Sequence, residues 1–150
     1  MYPELQGKVA IVTGAARRGG LGAAMAQRLA AEGVRVLVSD IGQAAGPLLP
    51  VSAIGASDEM NVVAAEIIAA GGQALAMVCN LLDADSVEAL VARTEQHFGG
   101  VDILVNNAGI GTLMKPIVEL SLAEWDSVLG VNLRGVFAAT QAVAPRFVAR

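Results

Sequence analysis

Cysteine occurs once in these 150 residues, at Cys79. No internal disulfide can form, and a lone thiol fits a reducing cytoplasm. Histidine is equally scarce: His97 is the only one, and with a single cysteine it leaves a zinc-type ligand set without members, so no metal site is expected. Charge is sparse, with 16% of residues charged, a net charge of −4, and no basic run beyond the pair Arg17-Arg18. That balance argues against nucleic-acid binding and against anionic membrane surfaces. Nowhere do 18 apolar residues follow one another, so no bilayer span is expected. The N-terminus has no basic segment followed by an apolar one, and no secretory leader is expected there. Aromatic residues make up 3%, including one tyrosine, Tyr2, and one tryptophan, Trp125.

What the chain does have is small apolar residues: it is 55% hydrophobic and contains 17 glycines. One compact domain is expected from the length. Short β-branched runs alternate with helix-forming stretches. VAIVT (9–13) reads as a buried strand, and 21–32 as a helix with apolar positions at Leu21, Met25 and Leu29, stopped by Gly33. VRVLVS (34–39) is a second strand ending at Asp40. Residues 41–57, with Gly42, Gly46, Pro47, Pro50 and Gly55, read as a long loop. A helix over 58–70, a strand over 73–78, a helix capped by Asp83 or Asp85 and ending at Phe98, and a strand over 101–105 follow. Ser121 and Glu124 have capping-box spacing ahead of a long helix toward Arg150, with a kink expected at Pro145. Four strand–helix repeats predict an α/β, Rossmann-type doubly wound parallel sheet with helices on both faces.

The first strand, a glycine cluster and a helix follow in immediate succession. A helix N-terminus offers unpaired N–H groups and a positive dipole end, which suit a diphosphate; glycine lets the backbone turn tightly and lets phosphate approach. Gly14, Gly20 and Gly22 are the candidates. Asp40 lies at the end of the second strand, about 20 residues after the glycines, where a dinucleotide fingerprint places an acid. A carboxylate there accepts from the adenosine ribose hydroxyls and repels a 2′-phosphate, which favours NAD over NADP. Arg17 and Arg18 act in the opposite sense, and the sequence leaves open which of Arg17, Arg18 and Gly19 faces the diphosphate.

Thr13-Gly14 followed by Gly20-Leu21-Gly22 resembles the glycine turn of the short-chain dehydrogenase/reductase family. Asn106-Asn107-Ala108-Gly109, directly after the fourth strand, resembles that family's N-N-A-G motif. Trp125 and the pattern Val131-Asn132-Leu133-x-Gly135-x-Phe137 resemble its long interface helix. The resemblance spans essentially the whole chain. It implies that Asn107, Ala108 and Gly109 lie along the cofactor riboses, that Leu21 belongs to the phosphate turn, and that Asn132 is the asparagine of the catalytic tetrad. Asn80, with Leu81 beside it, stands where the family often has an acid that binds the adenine amine. The glycine turn is two residues longer than the family pattern, with five residues between Gly14 and Gly20 where three are usual.

The resemblance also implies hydride chemistry on an alcohol or ketone, carried by a serine and a Tyr-x3-Lys pair. Here position 6 is Gln, and the only lysines are Lys8 and Lys115. The chain is therefore expected to be the first four strands of a longer domain, truncated before the catalytic half and inactive alone. A small-molecule substrate and a homodimer or homotetramer are implied, with Val136, Ala139, Thr140 and Val143 as an interface face. Two other readings stand beside this one. These residues also suit a non-catalytic dinucleotide-binding or sensor module, and the glycine turn plus acid also occurs in S-adenosylmethionine-dependent methyltransferases.

Overall fold

The computed structural model describes residues 2–43, 57–112 and 115–148. Most of the expected 41–57 loop lies outside the described residues. Four parallel strands form one sheet: β1 (Val9–Thr13), β2 (Arg35–Asp40), β3 (Gln73–Val78) and β4 (Ile103–Val105), in the order β3-β2-β1-β4. Among the described residues five α-helices accompany them: α1 (Leu21–Ala31), α2 (Ser57–Ala69), α3 (Ala84–Phe98), α4 (Leu122–Leu129) and α5 (Val136–Val148).

Side-chain alternation along β1 and β2 divides the core in two. Ala10, Val12, Val36 and Val38 pack against α1 and α2, with Ala23, Ala26, Met60, Val63 and Ile67. Ile11 and Leu37 face the other way, against Val87, Leu90, Val91 and Phe98 of α3 and Ala139 and Val143 of α5. All five residues of β1 are buried, as a central parallel strand covered on both faces requires. The strand order carries the functional geometry. The chain winds outward from β1 to β2 and β3, then returns to the other side of β1 as β4. At that reversal the connections after β1 and β4 leave in opposite directions, and a crevice opens beyond the carboxyl ends of the strands.

Local punctuation follows the sequence. The Asp83 carboxylate, not that of Asp85, caps α3 by accepting from the N–H groups of Asp85 and Ser86. Gly99 ends α3 at φ 86°, a left-handed conformation that favours glycine. Ser121 and Glu124 form both halves of the capping box on α4.

Along α1 close packing on the sheet selects the smallest side chains, so Gly22, Ala23, Ala26 and Ala30 form the buried stripe while Leu21 is exposed. Three expectations are corrected. Strand β4 starts at Ile103, two residues later than expected; Asp102 pairs with Val9 just before it, its carboxylate accepting from the Val9 N–H at 2.9 Å and its own N–H donating to the Val9 carbonyl at 2.9 Å. The long C-terminal helix is interrupted at Gly130–Gly135 by a wide π turn, and α5 then runs through Pro145. Finally, Ala139 and Val143 are buried in this chain's own core and do not face a partner, whereas Thr140 is exposed and accepts from the Asn106 amide. On α4, the π turn and the start of α5, Trp125, Leu129, Leu133 and Phe137 are among the exposed apolar side chains.

Candidate functional site

Thr13, the last residue of β1, organises the floor of the crevice. Its hydroxyl donates to the Val105 carbonyl at 3.1 Å and accepts from the N–H groups of Asn107 and Ala108, each at 3.2 Å. One donor and two acceptor positions are thereby used, which is all a hydroxyl has. The Asn107 amide answers from the other side, donating to the carbonyls of Thr13 at 3.0 Å and Gly14 at 2.8 Å. The N-N-A-G turn is thus stitched to the glycine turn across the β1–β4 reversal. The role of Thr13 was not read from the sequence; a lone hydroxyl ending an apolar strand run was the available signal.

The glycines are required by contact. Gly14 has φ 65°, and a Cβ on it would lie 2.6 Å from Ala108 Cα. At Gly22 a Cβ would meet Asn107 Nδ2 and the Gly14 carbonyl, both at 2.5 Å. Gly20 begins α1 and supplies no side-chain cap to it. The N–H groups of Leu21, Gly22 and Ala23 precede the first intrahelical bond, made by Ala24 to the Gly20 carbonyl at 3.0 Å. The result is a concave, donor-rich, side-chain-free surface at the positive end of a helix. An anion such as a diphosphate fits that chemistry.

Asp40 ends β2 on the same rim. Its two carboxylate oxygens accept from the N–H groups of Ala16 at 3.1 Å and Ile41 at 2.8 Å. Burial pushes its pKa above the ordinary carboxylate value, partly offset by those two hydrogen bonds and by the Arg17 charge. Asn80 lies in the loop after β3. Its side-chain oxygen accepts from the Leu82 N–H at 3.0 Å and its own N–H donates to the Ser86 hydroxyl, so one lone pair of the amide is already used. Cys79, buried beside it, has its thiol pKa raised by burial.

Gly14, Gly20, Leu21, Gly22, Asp40, Asn80, Leu81, Asn107, Ala108 and Gly109 all border a single cleft of about 460 Å³. That volume lies within the range of small-molecule and cofactor sites. Arg17 lines the cleft as well, whereas Arg18 turns away and pairs with Glu66 of α2 at 2.6 Å. Asn132 does not line it. It stands behind, in the π turn, and grips the backbone of Ile110: its Oδ1 accepts from the Ile110 N–H and its Nδ2 donates to the Ile110 carbonyl, both at 2.8 Å. The wide turn offers Asn132 at a backbone position that an uninterrupted α-helix would rotate away.

Tyr2 is remote from this site. Its N–H donates to Glu32 just past the C-terminus of α1, while the cleft lies at the N-terminus of that helix, roughly 16 Å away for 11 residues. Lys115 is paired with Glu124 of the α4 capping box.

Comparisons with known proteins agree with this geometry. The family model for short chain dehydrogenases matches residues 8–150. A 3-oxoacyl-[acyl-carrier-protein] reductase of Synechocystis sp. is 40% identical over 140 residues, 93% of this chain and 50% of the relative. A D-threitol dehydrogenase of Mycolicibacterium smegmatis is 40% identical over 145 residues, 97% of this chain and 49% of the relative. Among solved structures, a metagenomic short-chain oxidoreductase in complex with NADP superposes with a TM-score of 0.80 at 35% identity, over 96% of this chain and 58% of that one. The chain spans about half the length of the curated relatives it matches. With its parallel sheet, its glycine cradle and its N-N-A-G turn, the chain belongs to the short-chain dehydrogenase family.

Proposed function

We propose that the cleft binds a nicotinamide dinucleotide and that the protein is an NAD(P)-dependent oxidoreductase acting on an alcohol or ketone. The observation that carries this reading is the convergence of the Gly14–Gly22 cradle, the N-terminus of α1 and the Asp40 carboxylate on one cleft. The cradle and helix N-terminus hold the diphosphate. Asp40 accepts from the adenosine ribose hydroxyls, and Asn80 with Leu81 borders the adenine. Asn107, Ala108 and Gly109 follow the riboses toward the nicotinamide. Asn132 holds the Ile110 backbone in place at that end of the cleft, as the family's tetrad asparagine. A nicotinamide bound there supplies the hydride donor or acceptor.

Asp40 supports NAD as the preferred cofactor, since a 2′-phosphate would meet its charge at short range. Arg17, on the same rim, supports some tolerance of NADP. The tyrosine–lysine pair of the family is not supplied by Tyr2, Lys8 or Lys115, so these 150 residues alone bind cofactor without turnover. A non-catalytic binding module is the second reading, favoured by that same remoteness of Tyr2. Self-association through Trp125, Leu129, Leu133 and Phe137, giving a homodimer or homotetramer, is part of the proposal. Titration with NADH, NADPH and S-adenosylmethionine tests the cofactor assignment. Saturable binding of the nicotinamide dinucleotides alone is expected; binding of S-adenosylmethionine in their place overturns it.

A further inference from the structure

The two residues that lengthen the glycine turn have separate destinations. The Gly20 N–H donates to the Arg17 carbonyl at 3.0 Å, closing a four-residue turn over 17–20 with Gly19 at its third position and φ 73°. A type II turn needs that positive φ there, and glycine provides it without strain. At the corner stands Arg18, whose guanidinium reaches α2 and donates to Glu66 Oε1 at 2.6 Å. The other oxygen of Glu66 accepts from the Gln27 side-chain amide of α1 at 3.2 Å. One half-buried carboxylate therefore ties the turn to both helices on that face of the sheet, and Arg17 is left on the cleft side.

We propose that Glu66 is a positioning residue for the dinucleotide: through Arg18 it holds the enlarged glycine turn in the shape that presents its backbone and Arg17 to the cleft. This rests on the cofactor reading above. It goes beyond that reading because Glu66 is on a different element, does not line the cleft, and carries the same sign of charge as the ligand. That sign separates the positioning role from simple electrostatics. If Arg18 acted only by attracting the diphosphate, removing the negative charge of Glu66 would strengthen binding. If Glu66 acts by holding the turn, removing it weakens binding.

The test compares Glu66→Gln, Arg18→Gln and the double variant in the full chain, with NADH and ADP-ribose as calorimetric ligands. Amide hydrogen exchange at Gly20 is followed in the ligand-free protein. For an exposed ion pair each single change is expected to weaken binding about two- to fivefold, with the double variant no worse than the weaker single one. Exchange at Gly20 should quicken in all three while the melting temperature moves little, and the differences should shrink in high salt. Tighter binding by Glu66→Gln, additive losses, or an unchanged Gly20 amide with intact NADH binding overturns the positioning role alone. Absence of NADH binding by the unsubstituted chain overturns the cofactor reading and the positioning role with it.

Discussion

At Gly22 a single methyl group decides whether the site can close. The position is helical and tolerates alanine by conformation, but a Cβ there would lie 2.5 Å from both the Asn107 amide and the Gly14 carbonyl. Gly22→Ala must push the N-N-A-G turn off the glycine turn. A stability loss of about 1–3 kcal/mol is expected from overpacking, measured by urea denaturation. It should come with a larger loss of dinucleotide affinity than that same cost spread over the fold would give.

Asp40 is the second decisive residue. Its carboxyl is held above the ordinary value of 3.8, chiefly by burial. The native state therefore binds this proton more tightly than the unfolded chain does. On stability, the group favours folding at low pH and loses that contribution as pH rises through the raised pKa. Ribose binding needs the ionised form, so NADH affinity is expected to fall on acidification at a higher pH than for an ordinary aspartate. Asp40→Ala should shift the ratio of NADPH to NADH affinity upward by about tenfold or more, since it removes charge-assisted bonds to one ligand and repulsion from the other. An unchanged ratio would remove Asp40 from the discrimination.

At the scale of elements, the α4 N-terminus makes a separable prediction. Glu124 has its pKa lowered to about 2, first by Lys115 and then by Ser121. A lowered carboxylate stabilises above its unfolded value, here 4.5, and that contribution disappears as pH falls toward about 2. Glu124→Gln should therefore narrow the stability difference between pH 7 and pH 3, read as melting temperatures of the two proteins at both pH values. Equal pH dependence of the two would show that the capping box does not carry the titration.

The same scale shows how far the sequence reaches. β1, β3, the Asp83 cap and the Ser121 box are legible because each rests on neighbours in the chain: β-branched runs, an acid before a helix, a serine three residues before a glutamate. The residues around the cleft were legible because glycine and N-N-A-G spacing is a local signal too. Partners separated by tens of residues were not. Nothing in the spacing says that Thr13 bonds the turn after β4, that Arg18 reaches Glu66, or that the Asp102 carboxylate takes the Val9 N–H. The small-residue face of α5 was assigned to a partner because spacing does not say whether such a face packs on its own sheet or on another copy; Ala139 and Val143 pack within the chain. The family resemblance implies a kink at Asn132, but its form as a π turn was not legible, because a pattern of apolar residues does not reveal one extra residue in a helical turn.

For the whole molecule, one group of exposed apolar side chains lies on α4, the π turn and the start of α5. Trp125 is 46% exposed, Leu133 65% and Phe137 62%. Such a patch favours association over isolation in water. Sedimentation equilibrium should show a concentration-dependent rise in mass, and Leu133→Asp with Phe137→Asp should abolish it while leaving the helical circular-dichroism signal intact. A monomer at every concentration would place that face outside any self-interface.

The central claim concerns the crevice at the β1–β4 reversal, and amide chemical-shift mapping during an NADH titration tests it most directly. The account predicts saturable shifts at Gly14–Gly22, at Asp40 and Ile41, at Asn80 and Leu81, and at Asn107–Gly109, with the far ends of the strands silent. Shifts gathered at the opposite end of the sheet, around Gln6, Gly33 and Gly71, or no saturable shifts at all, would contradict it.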